Sequence, residues 1–102
     1  MVPAQSNQMP DSAALRDRVA IVTGAGQGMG RGIARCLAWA GAHVVVAEQA
    51  ADRIAPVVAE LEDLGVQALG IATDVSRRDD VQAMARKTVE RFGRIDILLS
   101  CR

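Results

Sequence analysis

The first fourteen residues, Met1 to Ala14, are mostly polar, carry Pro3 and Pro10 and show no hydrophobic period. They read as a disordered leader. From Arg18 onward the pattern changes. Val19-Ala20-Ile21-Val22-Thr23 is a short apolar run followed by glycine, as expected of a strand buried on both faces. Beyond the stretch Gly24–Gly30, Ile33, Ala34 and Leu37 fall at helical spacing, and Gly41 stops that helix. Val44–Ala47 reads as a second buried strand that ends at Glu48. Ile54, Val57, Val58, Leu61 and Leu64 mark a second helix closed by Gly65. Its Pro56 is tolerable only near the helix start. Ala68–Thr73 reads as a third strand and Asp74-Val75-Ser76 as a turn, with Ser76 or Asp79 placed to cap the next helix. Val81, Met84, Ala85, Thr88 and Phe92 form the stripe of that helix, which Gly93 ends. Ile95–Leu99 is the fourth strand.

The order β-α-β-α-β-α-β with short connections predicts an α/β fold, a doubly wound parallel sheet with helices on both faces. Right-handed crossovers give the strand order 3-2-1-4. Residues 15–102 then form one partial domain.

Composition narrows the partners. Half of the residues are hydrophobic, yet only one Trp and one Phe are present and no Tyr, so the core must be aliphatic. Twelve basic and twelve acidic residues cancel, which leaves no electrostatic footprint for nucleic acid. No apolar run approaches membrane-spanning length. The N-terminus lacks a signal-peptide pattern, and two cysteines at Cys36 and Cys101 fit a reducing compartment, so the expected location is the cytoplasm.

The candidate chemistry lies between the first strand and the first helix. Thr23-Gly24-Ala25-Gly26-Gln27-Gly28-Met29-Gly30 places four glycines in seven residues. Gly24 permits a sharp turn after the strand, Gly28 lets the backbone approach a pyrophosphate, and Gly30 lets the helix pack closely. Gln27 and Met29 stand between them at the helix start, whose N–H groups and dipole favour anions by roughly 0.3–1 kcal/mol. A P-loop would need a lysine at its end, and the only lysine is Lys87. The spacing is T-G-x-x-x-G-x-G rather than G-x-G-x-x-G. Glu48, at the carboxyl end of the second strand, is placed to accept both hydroxyls of an adenosine ribose and to repel a 2′-phosphate. Asp74 can serve as a turn or cap residue as well as a binding residue. His43 has no neighbour at ligand spacing and reads as structural. Trp39 reads as packing the end of the first helix and Cys36 as a small buried hydrophobe. Arg77, Arg78, Arg86, Lys87, Arg91 and Arg94 are interleaved with acids and read as a solvated helix face.

The glycine loop resembles the cofactor loop of short-chain dehydrogenases/reductases. The resemblance continues through Leu15–Gly24, Gly41–Val46, Asp74-Val75 and Phe92–Leu98, which match the family's first strand, second strand, adenine-contacting pair and approach to the fourth strand. It implies a Rossmann-type sheet. It also implies a dinucleotide cofactor held by Gly24, Gln27, Gly28, Met29, Gly30, Glu48, Asp74 and Val75. Gln27 and Gln49 bring no positive charge where NADP-using relatives carry one, so NAD is the expected cofactor. The family's catalytic Ser and Tyr-x-x-x-Lys lie beyond the fourth strand. The chain ends at Ser100-Cys101-Arg102 where relatives read Asn-Asn-Ala-Gly, so it reads as a truncated NAD-binding part of an oxidoreductase, inactive alone. Two alternatives stand beside this. One is a non-catalytic nucleotide-binding or interaction module. The other is an S-adenosylmethionine-binding methyltransferase half-domain, which Thr23 disfavours because those proteins place an acid there. The fourth strand, with apolar residues toward both faces and an unpaired edge, is expected to drive self-association.

Overall fold

A computed structural model describes residues 14–101. The expected leader lies outside the described residues except for Ala14, an exposed turn residue. The elements in order are β1 (Val19–Thr23), α1 (Gly28–Trp39), β2 (His43–Glu48), a 3-10 turn at Ala51–Arg53, α2 (Ile54–Glu62), β3 (Ala68–Ala72), α3 (Arg78–Phe92) and β4 (Ile97–Ser100). The four strands form one parallel sheet in the order β3-β2-β1-β4. Alternate side chains of a strand point to opposite faces, and both faces are covered here. Val22, Val44, Val46 and Ala68 pack under α1 and α2 with Ala34, Ala38, Val57 and Leu61. Ile21, Val45, Ala47 and Ile71 pack under α3 with Met84, Val81 and Phe92. This is the doubly wound Rossmann-like arrangement the alternation predicts.

The helices are held at their ends in different ways. Pro56 is the third residue of α2, within the first turn, where its missing N–H breaks no helical bond. α3 ends on Gly93 at φ +82, a left-handed stop whose N–H donates to the Val89 carbonyl at 2.8 Å. Neither Ser76 nor Asp79 caps α3: its N-cap is Arg77, and no side chain caps it. Ser76 is instead engaged by Asp74, whose carboxylate Oδ1 accepts from both its N–H and its hydroxyl. Asp79 and Asp80 still put negative charge at the positive end of the helix dipole.

Cys36 departs from its expected burial and is exposed. The inward face of α1 is set by Gly30, Ala34 and Ala38, spaced four apart, with Leu37 flanking the core. Position 36 is two residues from Ala34 and so points to the opposite side of the helix. Its neighbour Trp39 is half-buried and, with Leu64, borders a shallow groove between α1 and the end of α2.

β4 begins at Ile97 rather than at Ile95. Asp96 supplies the reason. Its carboxylate Oδ2 accepts the Val19 N–H at 2.9 Å, in the place a neighbouring strand's carbonyl would occupy, while its own N–H donates to the Val19 carbonyl at 2.9 Å. Arg94 and Arg18 hold the same carboxylate from outside. The Arg94 hydrogen bond, then the Val19 N–H, pull the Asp96 carboxyl below the usual carboxylate range. His43 plays a structural part at the head of β2. Its Nδ1 accepts the Gln67 N–H at 3.0 Å, and its ring stacks on Phe92 with centroids 5.7 Å apart.

Candidate functional site

The carboxyl ends of β1 and β2 open onto a cleft of about 460 Å³ beside the start of α1. In an open parallel sheet, ligands sit at this end, where successive crossovers leave in opposite directions. The reversal occurs at β1, which is flanked by β2 and β4. The cleft is lined by Gly24, Gln27, Gly28, Met29, Gly30, Glu48, Gln49, Thr73, Val75 and Cys101.

The glycine loop is built by steric exclusion. A Cβ on Gly24 would stand 2.5 Å from the Cys101 carbonyl oxygen, so the exit of β4 rests directly on the loop. A Cβ on Gly30 would collide with the Gly24 carbonyl, which is why the helix can start so close beneath the strand end. Its close packing is therefore against the loop itself. Gly28 differs: its φ of +57 is a left-handed conformation that L side chains resist, and nothing lies within 4 Å of where a Cβ would be. Gly28 is also the first residue of α1, so this open space lies at the N-terminal end of that helix. Thr23 and Cys101 stitch the two flanking strand ends together, the Cys101 N–H meeting the Thr23 carbonyl at 3.3 Å and its hydroxyl at 3.2 Å.

Glu48 is buried at the end of β2 and is not a solvated strand-end residue. Its Oε1 accepts the Gly26 N–H at 2.8 Å and its Oε2 accepts the Ala50 N–H at 3.0 Å. Each carboxylate oxygen keeps a further lone pair for a donor in the cleft. No arginine or lysine lines the cleft among the described residues. Arg31 and Arg35, on α1 just past the loop, are turned to Glu60 of α2. The Arg31 hydrogen bond holds the Glu60 carboxyl below its ordinary range. Arg53 is exposed on the 3-10 turn.

Seven of the eight expected residues line the one cleft, and Asp74 does not. Thr73 and Val75 on either side of it do, with Val75 half exposed. Asp74 is occupied locally: Ser76 binds its carboxylate and draws the carboxyl below its usual range, and its N–H donates to Asp80 Oδ2 at 2.9 Å. Gln49, read from the sequence as a neutral residue beside Glu48, also lines the cleft, and Thr73 and Cys101 join it without a sequence signal, because strand-end proximity across the sheet does not show in local spacing. Gly26 carries no such signal either, since the T-G-x-x-x-G-x-G spacing leaves that position unspecified. No helix among the described residues is long and apolar enough to cross a membrane. No group of His, Cys, Asp and Glu among them is arranged to hold a metal.

The short chain dehydrogenase family model matches residues 18–101. A short chain dehydrogenase/reductase, astE, of Aspergillus oryzae is 51% identical over 87 residues, which is 84% of this chain and 33% of that protein. The crystal structure of a hydroxysteroid dehydrogenase from Escherichia coli superposes with a TM-score of 0.83 at 39% identity, over 88% of this chain and 38% of the other. A short chain dehydrogenase/reductase from Burkholderia phymatum, solved in complex with NAD, gives a TM-score of 0.79 at 37% identity, over 82% of this chain and 30% of the other. The chain thus spans about a third of the length of these relatives. A glycine loop, strand order and sequence match that agree over almost all the described residues leave no place for the methyltransferase alternative, and the chain belongs to the short chain dehydrogenase family.

Proposed function

We propose that this chain is the N-terminal, dinucleotide-binding part of an oxidoreductase and that it prefers NAD to NADP. The observation that carries the reading is the pairing, in one cleft, of an open glycine cradle at Gly28 with the fixed carboxylate of Glu48. Gly24, Gln27, Gly28, Met29 and Gly30 would hold the pyrophosphate and Glu48 the adenosine ribose. Val75, with Asp74 behind it, would border the adenine. The solved relative that carries NAD supports this choice of ligand. A nicotinamide group bound here would supply hydride transfer. The residues of this chain supply binding and orientation: the sequence holds no Tyr to act as the family's acid/base.

The preference follows from charge. Two unit charges about 4 Å apart at an effective dielectric of 20 repel by roughly 4 kcal/mol. A 2′-phosphate beside Glu48 would meet that repulsion with no lining cation to offset it. Calorimetric titration of the whole chain with each cofactor tests this. NAD should bind more tightly, and Glu48→Ala should narrow the gap. Equal affinities, or tighter NADP, would remove Glu48 from the site. The chain alone should show no substrate-dependent change at the nicotinamide absorbance band. A change that Gly28→Trp abolishes would reveal chemistry in these residues that has not been assigned.

Two further parts of the reading rest on the surface. Leu98 is 59% exposed on β4, and Ile95, two residues before that strand, is 38% exposed. Such an apolar edge favours self-association of the chain. The free thiols Cys36 and Cys101 suit a reducing compartment such as the cytoplasm.

A further inference from the structure

The loop glycine that the family spacing leaves unspecified has a distinct role here. Gly26 is not among the residues with positive φ, so its backbone conformation is open to an L side chain. What forbids a side chain is Glu48. A Cβ at position 26 would lie 2.5 Å from Glu48 Oε1, 2.7 Å from its Cγ and 2.8 Å from its Cδ. Real Cβ atoms essentially never come so close, so something would have to shift. The Gly26 N–H meanwhile donates to Oε1 at 2.8 Å, across 22 residues of sequence. The Ala50 N–H holds the other oxygen at 3.0 Å. The carboxylate is therefore tucked beneath the loop and pinned at both oxygens, in space that exists only because residue 26 has no side chain.

We infer that Gly26 is a positioning residue for cofactor selection: by admitting the Glu48 carboxylate under the loop, it fixes that charge at one depth in the cleft. This rests on the nucleotide reading above and says how its discrimination is set. A pinned carboxylate presents its remaining lone pairs to a ribose diol without first giving up rotamer freedom. It also cannot turn away from a phosphate without breaking two backbone hydrogen bonds. A Cβ at position 26 removes both properties at once by forcing the carboxylate out from the loop.

The test uses the whole chain and four variants: Gly26→Ala, Glu48→Asp, the double substitution Gly26→Ala with Glu48→Asp, and Glu48→Ala. Each is titrated with NAD and with NADP by calorimetry, and the backbone amide at position 26 is followed by hydrogen exchange without ligand. Gly26→Ala should weaken NAD roughly tenfold, the scale of one lost hydrogen bond to a charged group, and change NADP much less, so that the ratio of affinities contracts. It should also lose protection at the position 26 amide. The shorter aspartate draws the carboxylate back from the added methyl, so the double variant should bind NAD more tightly than Gly26→Ala does. A simple loop defect would give no such rescue and would weaken both cofactors alike. Melting curves identify any variant that fails to fold, and the Glu48→Asp and Glu48→Ala titrations then carry the test. In both, protection of the Gly26 amide should fall together with the NAD-to-NADP ratio. Unchanged NAD affinity and unchanged amide protection in Gly26→Ala would overturn the inference. So would equal loss of both cofactors without rescue. If the unsubstituted chain binds neither cofactor, the nucleotide reading fails and this role fails with it. Protection of the Gly26 amide, lost in Glu48→Ala, would then show that the contact exists without serving a ligand.

Discussion

β1 and β4 lie side by side in the same sheet, yet their surroundings differ. Every residue of β1 is buried, and the strand is paired on both edges, to β2 and to β4. β4 is paired on one edge, and its residues alternate between half-buried and exposed. Ile21 and Leu98 are register partners and so point to the same face, but Ile21 is 1% exposed and Leu98 is 59% exposed. The same kind of side chain on the same face of one sheet thus has different consequences, decided by whether α3 reaches over it. The core is centred on β1 and β2, and polar contacts rather than burial fasten β4 to it.

The sharpest way to break this comparison is to truncate the buried partner. Ile21→Ala should cost about 2–5 kcal/mol in urea unfolding, because it empties a site that α3 and the flanking strands enclose. A loss under about 1 kcal/mol, below the range for such truncations, would mean that β1 is not the centre of the core. A smaller effect is expected at the fastening of β4. The folded-state pKa of Asp96 lies below its ordinary 3.8 because Arg94 and the Val19 N–H favour the charged form. Its stabilising contribution is therefore full above the unfolded value and is lost as pH falls through 3.8 toward the lower folded value. Asp96→Asn should flatten the acid limb of a stability-against-pH curve and leave the limb above neutrality unchanged. Asp74 and Glu60 are shifted the same way, so part of the limb should survive. An acid limb identical to that of the parent chain would show that Asp96 does not fasten β4.

The smallest change in stability is expected at Leu98. Leu98→Lys should alter unfolding by no more than about 0.5 kcal/mol, as is usual for exposed positions away from special features. It should nevertheless lower the mass seen by light scattering, since a charge on an apolar edge opposes strand-to-strand pairing. A mass unchanged by the substitution would place any self-association elsewhere on the chain.

Much of this organisation can be read from the residues in order. Buried strands bounded by glycine, and helical stripes closed by Gly65 and Gly93, suffice for the element order, and chain handedness then supplies the topology. The structure adds detail where a side chain's partner or a helix's phase decides the outcome. Asp96 delays β4 by two residues because its side chain takes a backbone donor on β1. Asp74 fills the turn role open to it, with Ser76 on its carboxylate, while its neighbours Thr73 and Val75 line the cleft. Cys36 looks like a core residue by type, but the phase of α1 turns it outward. Gly26 has no local mark at all, because its neighbour Glu48 comes from the end of another strand.

The stitching of β1 to β4 also has a kinetic side. The Asp96–Val19 contact closes 77 residues of chain, whereas the Gly26–Glu48 contact closes 22. In entropy the longer closure costs only about 1 kcal/mol more, since each doubling of loop length adds about 0.6 kcal/mol. In time the difference is larger. At a synthesis rate of about 5–20 residues per second, β4 follows β2 by several seconds. During that interval β1, buried only in the finished fold, has one edge paired and one edge bare. A nascent chain of this sequence therefore passes through a window in which a chaperone, or a second copy on the same polysome, competes with β4 for the edge of β1.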